Sequence, residues 1–206
     1  MNARASTRPL RRVLWVVAAL GLVTVAVLWR TGTWGPASSD NNDDAASVSN
    51  TDPGLVVYPE AQRSRIPEIK GTTLDGDSLK LSDFRGDIVV INVWGSWCGP
   101  CRAETPDLVR LARENANRKV QFLGIDTRDN LDSARAFAKK FEMPYPSLFD
   151  EGGGVLLPLR GVIPTAVIPS TVVVDRNGKV AARVIGPVTY KTLDGVLADE
   201  LAGGTR

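Results

Sequence analysis

The chain carries two cysteines, and they stand two residues apart in the string Trp94-Gly95-Ser96-Trp97-Cys98-Gly99-Pro100-Cys101. An apolar, β-rich run precedes the string and a helix-forming run follows it. The pair therefore falls where a strand runs into a helix, the signature of a dithiol/disulfide redox site. Pro100 suits the first helical turn, where its missing N–H goes unused. In that register Cys98 stands at the helix N-terminus and faces unpaired amides and the positive end of the helix dipole, which favours thiolate, the nucleophilic form. Cys101 lies three residues on, on the same helix face and more deeply placed. One cysteine attacks and the other resolves.

Other readings of the pair fit less well. A zinc site takes about four Cys or His ligands, and this chain has two cysteines and no histidine. A copper chaperone adds histidine or methionine to its thiolates, and the two methionines here are Met1 and Met143. An inert structural disulfide would close so short a loop that it restricts the unfolded chain little. No metal and no separate cofactor is expected; the redox group is the Cys98–Cys101 pair itself.

The net charge of +2 over 206 residues conceals an asymmetry. Arg4, Arg8, Arg11, Arg12 and Arg30 fall in the first thirty residues with no acid, leaving 20 basic against 23 acidic residues in the remainder. A mildly acidic body excludes a nucleic-acid footprint. Val13 to Trp29 is an uncharged apolar run of 17 residues, roughly 25 Å as a helix and just long enough to span a bilayer. With the arginines ahead of it, residues 1–30 read as a single-pass anchor that leaves the N-terminus in the cytoplasm and the rest of the chain outside. The alternative is a cleaved signal peptide, although Trp29 and Arg30 interrupt any small-x-small cleavage site. Arg11-Arg12 can be read as a twin-arginine export signal, but a lone Arg pair ahead of an apolar run is more often just the positive flank. Residues 31–54 turn to Ser, Asn, Asp, Gly and Pro, too polar to bury a core, and read as a flexible tether.

The folded domain is expected over 55–206. Two strand-like segments, Glu68 to Leu74 and Ser78 to Leu81, meet at Asp75-Gly76, a hairpin turn. Ile88 to Trp94 is a strand buried on both faces, and the helix from about Pro100 carries Leu108, Leu111 and Ala112 on one side, with Pro106 predicting a kink. Val120 to Asp126 is the next strand. Leu131 to Phe141 forms a helix capped by Asp129 or Asn130, and the alternation implies a right-handed parallel crossover. A helix is possible around Val155 to Arg160. Thr171 to Asp175 and Lys179 to Ile185 are strands joined through Asn177-Gly178, and Thr189 to Leu201 is a closing amphipathic helix.

Cys98-Gly99-Pro100-Cys101 after a buried strand, Pro106 beyond it, and Ile168-Pro169-Ser170-Thr171 before a strand hairpin together resemble the thioredoxin fold. The extra N-terminal hairpin, the Trp-x-x-Trp-Cys-x-x-Cys-x-x-Glu-x-Pro string at Trp94 to Pro106 and the anchor narrow the resemblance to the TlpA/ResA-like membrane-anchored thiol-disulfide oxidoreductases. The implied fold is α/β: a thioredoxin-like domain with an extra N-terminal β-hairpin, preceded by one transmembrane helix and a disordered tether. The resemblance further implies a cis proline at Pro169, a position otherwise read as an ordinary trans proline at a strand start. Where cytosolic thioredoxin has a buried aspartate, this chain has Asn92, which cannot titrate. The resemblance assigns proton transfer instead to Glu104 beside Cys101; by the residues alone Glu104 is equally an acid of the first helical turn favoured by the dipole.

The expected chemistry is attack by Cys98 on a substrate disulfide and resolution by Cys101. By analogy with the fold, Trp97, Gly99, Pro100, Ile168 and Pro169 would line the edge that holds the substrate chain. Gly-Pro between the cysteines is the pair seen in reducing thioredoxins, near −270 mV. The function expected is an extracytoplasmic reductase, which by the resemblance keeps apocytochrome c cysteines reduced and draws electrons from a membrane partner that passes them out of the cytoplasm. A disulfide-forming oxidase of the same fold and a non-catalytic assembly module stay open on sequence grounds.

Overall fold

The computed structural model describes residues 54–203 and a two-residue strand, β1 (Ser47–Val48). The expected anchor at residues 1–30 lies outside the described residues, as does most of the 31–54 tether. Among the described residues no helix is long and apolar enough to cross a membrane. β1 falls inside the stretch expected to be a tether and pairs antiparallel with β2 (Leu55–Val57). Strand pairing at a sheet edge uses main-chain groups alone, so a polar composition does not prevent it.

In chain order there follow the hairpin β3 (Lys70–Thr72) and β4 (Ser78–Lys80), then β5 (Ile88–Trp94), α1 (Gly99–Asn115), β6 (Val120–Thr127) and α2 (Leu131–Lys140). The chain continues through β7 (Ser147–Asp150), β8 (Ser170–Val174), β9 (Val180–Ile185) and α3 (Tyr190–Leu201). The main sheet has the order β1-β2-β9-β8-β5-β6-β7, with β5 parallel to β6 and antiparallel to β8. This is the thioredoxin-like arrangement with the additional β3–β4 hairpin. Gly76, at φ 98°, makes the β3–β4 turn that its sequence predicts. Gly178, at φ 75°, does the same between β8 and β9, where the Asp175 carboxylate accepts from the Asn177 and Lys179 amides.

All seven residues of β5 are buried because both faces are covered. Ile88 and Val90 pack with Leu108 and Leu111 of α1 and Leu193 and Leu197 of α3. Val89, Ile91 and Val93 pack on the opposite face with Ile69, Leu148, Leu156 and Leu159. At the end of β5 a third cluster joins Trp94, Cys98 and Cys101 to Ala134 and Phe137 of α2. Where a helix is expected over Val155 to Arg160, the chain forms a 3-10 turn at Leu157–Gly161, with Pro158 in its first turn. α1 runs unbroken through Pro106, whose ring leaves one carbonyl of the preceding turn without its helical donor.

A buried ion-pair cluster ties the segment after β2 to the far side of the sheet. The Arg63 guanidinium donates to Glu200 at 2.6 and 2.9 Å and to Asp175 at 3.2 Å, all three side chains being almost fully enclosed. Removing one partner leaves carboxylates stranded in low dielectric. Arg63→Ala is therefore expected to lower stability by about 3 to 5 kcal/mol, read from urea unfolding at neutral pH, with no change in the reactivity of the distant cysteine pair.

Candidate active site

β5 ends at Trp94, and the next three residues turn the chain into α1. Gly95 permits that turn because the Trp97 ring folds back over it; a Cβ there would stand 2.9 Å from Trp97 Nε1 and 3.3 Å from the Thr127 carbonyl. The Trp97 indole donates to the Arg128 carbonyl at 3.1 Å, and the Arg128 guanidinium lies over the ring at 5.6 Å. Arg128 sits at φ 53°, a left-handed backbone that turns its carbonyl toward the indole. Held in this way, Trp97 remains 55% exposed beside the cysteines.

Cys98 is the N-cap of α1, and its sulfur accepts from the Cys101 amide at 3.2 Å. The cap position expected from Pro100 is thus occupied, and the orphan amide of the first turn points at sulfur. The two cysteines are joined as a disulfide with Cα atoms 5.3 Å apart. Cys98 keeps 4% of its surface and Cys101 none, so of the two only Cys98 meets solvent. Gly99 and Pro100 are exposed on the adjoining turn. Ile168 packs against the cluster containing both cysteines. The Ile168–Pro169 bond is cis, and the Pro169 carbonyl accepts from Gly186 at 3.0 Å. Val167, 40% exposed, extends this rim.

Glu104 is one turn into α1 and only 4% exposed. Asn92 Nδ2 donates to its Oε1 at 2.8 Å and the Val188 amide to its Oε2 at 2.8 Å. Asn92 Nδ2 also reaches Thr171 Oγ1, 3.1 Å away on β8, which fixes the amide between the two. Burial pushes the Glu104 carboxyl up to about 7, against the opposing pull of the Val188 and Asn92 donors. A carboxyl balanced near neutrality can take a proton and return it. The reading of Glu104 as a solvated acid of the first turn is therefore incorrect: the turn that carries it faces the sheet, not the solvent.

Sequence reasoning did not find the groups that hold the approach to Cys98. Of the two helix caps considered, Asn130 caps α2 by accepting from Ser133, while Asp129 turns away and accepts from the Ser96 amide at 2.6 Å. Arg102 Nη1 donates to the Ser96 carbonyl at 2.8 Å and lies over the Phe137 and Phe141 rings. The only sequence sign of these roles is an excess of candidates: Asp129 and Asn130 both stand where one cap is needed.

The family model of the AhpC/TSA family matches residues 63–183. The chain is similar to the thiol-disulfide oxidoreductase ResA of Bacillus cereus, 28% identical over 131 residues that make up 64% of this chain and 73% of that protein. Its fold is similar to a solved DsbF homologue from Corynebacterium diphtheriae, with a TM-score of 0.68 and 34% identity over 75% of this chain and 98% of the other. It is also similar to a secreted thiol-disulfide isomerase from Corynebacterium glutamicum, with a TM-score of 0.68 and 34% identity over 76% and 97%.

Proposed function

The chain belongs to the AhpC/TSA family, as a thioredoxin-fold thiol-disulfide oxidoreductase, and on that premise we propose that it is an extracytoplasmic reductase of protein disulfides. The observation that carries the reading is Cys98 at the N-cap of α1, its sulfur facing an orphan amide while Cys101 is wholly buried behind it. In the reduced protein that position favours the Cys98 thiolate. The thiolate attacks one sulfur of the substrate disulfide, forming a mixed disulfide and expelling the other sulfur as thiolate. Cys101 passes its proton to Glu104, attacks Cys98 Sγ, and releases the second substrate sulfur. Two electrons have then moved to the substrate and the Cys98–Cys101 disulfide is restored.

Trp97, Gly99, Pro100, Ile168 and Pro169 form the rim over which the substrate chain lies, Trp97 supplying exposed apolar area. Gly-Pro between the cysteines supports the reducing direction. The likeness to a secreted relative supports a domain working outside the cytoplasm, held there by residues 1–30. A reductase so placed needs a membrane donor that delivers electrons from inside, and the ResA-like resemblance supports the paired cysteines of apocytochrome c as substrate. Equilibration of the Cys98/Cys101 pair against glutathione or dithiothreitol tests the direction. A potential near −270 mV is expected, and one near −120 mV would make the protein a disulfide-forming oxidase instead.

A further inference from the structure

Beneath the cysteine pair the structure holds a carboxyl that the exchange chemistry does not use. Asp126, next to last in β6, lies opposite Trp94, fully buried, and among the described residues neither of its oxygens receives a hydrogen bond. The charged groups that face it are both acidic: Asp129, from the turn after β6, and Asp150, at the end of β7. Each neighbour is already committed as an acceptor. Asp129 takes the Ser96 amide on Oδ2 and the Asn130 amide on Oδ1, while Asp150 takes the Val155 and Leu156 amides. β5 sets Trp94 opposite Asp126 in the strand register, and among the described residues no cation acts on Asp126. Among the described residues no three or more Asp, Glu, Cys or His side chains are placed together to hold a metal ion.

A third carboxylate here would be a buried charge with two like charges beside it and no donor, an arrangement that ordinarily resolves by keeping a proton. Burial first, then the Asp129 and Asp150 charges, push Asp126 up to about 8. A protonated Asp126 has one hydrogen to give, and the Asp129 carboxylate that faces it can accept one. Asp129 in turn grips the Ser96 N–H, while Arg102 grips the carbonyl of the same residue. Ser96 lies two residues before Cys98. Ser96 is thus held through both of its main-chain groups, its N–H by a carboxylate and its carbonyl by a guanidinium.

We propose that Asp126, Asp129 and Arg102 are positioning residues for the exchange reaction: Asp126, as a neutral acid, donates to Asp129 so that Asp129 and Arg102 hold the Ser96 peptide and fix Cys98 at the helix N-terminus. The proposal rests on the redox reading of the cysteine pair, but the clamp itself is observable without turnover. Loss of the Asp126 proton would replace its hydrogen bond to Asp129 by repulsion between two anions and loosen the segment before Cys98. The site then has an alkaline limit separate from thiol ionisation.

The test uses the full-length protein in its oxidised form, where neither cysteine titrates. The indole N–H resonances of Trp94 and Trp97 are followed by NMR from pH 6 to 10. Wild type is expected to show a step near pH 8 on both indoles, which persists in Glu104→Gln and is absent in Asp126→Asn. Stopped-flow attack of the reduced protein on a small aromatic disulfide is the second arm. Asp129→Asn and Asp126→Ala are expected to slow it on the order of 10-fold through misplacement of the sulfur, with Asp126→Asn, which retains a donor toward Asp129, recovering most of the rate. No indole step in wild type, or a step that survives in Asp126→Asn, would overturn the clamp even if the cysteines prove fully redox-active. Equal attack rates for wild type, Asp129→Asn and Asp126→Ala would overturn its role in positioning. Failure of the redox reading has a different mark: no variant, and not the wild type, would react with the disulfide.

Discussion

Cys101→Ser is expected to stop turnover with the substrate covalently held on Cys98, and Cys98→Ser to stop it with no adduct formed. The asymmetry follows from position. Cys98 caps α1 and retains some surface, whereas Cys101 is fully enclosed, so only Cys98 can meet an incoming disulfide. With Cys101 intact, the mixed disulfide is resolved by a thiolate already within bonding distance, which is the advantage of an intramolecular reaction. Without it, the adduct waits for an external thiol. Insulin reduction should fall to the uncatalysed background in both variants, and mass spectrometry under non-reducing conditions should find the adduct in Cys101→Ser alone. Stability should change little, since a disulfide across three residues constrains the unfolded chain weakly. An adduct on Cys101 in the Cys98→Ser variant would reverse the assignment of attacker and resolver.

Glu104→Gln is expected to slow resolution of the mixed disulfide while leaving the first attack nearly unchanged. Cys101 is desolvated, which disfavours its thiolate. The chain has no histidine, and Asn92, in the fold beside Glu104, cannot accept a proton. A carboxyl pushed by burial to about 7 is suited to take the Cys101 proton. Replacing it by an amide of the same shape removes the base, at a loss of about 100-fold in the resolution step by the usual scale of general-base catalysis. Single-turnover stopped-flow kinetics separate the two steps. In wild type the resolution rate should rise with pH through about 7, and in E104Q that dependence should vanish.

Linkage supplies an independent check on the same side chain. Its folded value is raised, from 4.5 to about 7, so the native state holds a proton that the unfolded chain releases between those pH values. The group's contribution to stability is therefore complete below pH 4.5 and lost as pH rises to about 7. At 1.36 kcal/mol per pH unit the loss is about 3 kcal/mol. Urea unfolding of wild type should weaken across this window by more than E104Q, which has nothing to titrate there. Parallel curves for the two proteins would show that Glu104 ionises in the folded state as it does in water.

Much of the fold was legible because its signals are short-range. The apolar run Ile88 to Trp94, the Asp75-Gly76 and Asn177-Gly178 turns, a cap at Asn130 and the spacing along α2 each depend on a few adjacent residues, and each is found where the sequence predicts it. Two details needed long-range information. The polar stretch around Ser47–Val48 joins a sheet because a partner strand, β2, presents free main-chain groups. Of the two cap candidates Asn130 takes the role, and Asp129 accepts instead from the Ser96 amide, 33 residues earlier in the chain.

The sequence by itself determined the chemistry's location: two cysteines at helical spacing after a buried strand place a nucleophilic sulfur on a helix N-terminus, and covalent geometry and backbone dipoles act over a single turn. The tertiary structure decided the protonation chemistry around that sulfur. Glu104 meets Asn92 and Val188, 12 and 84 residues distant in the chain, and Asp126 meets a second and third carboxyl across two elements. The affinity of a carboxyl for its proton depends on how completely water is excluded and on which charges share the enclosure. Those conditions arise only when strands and helices far apart in sequence close over the side chain.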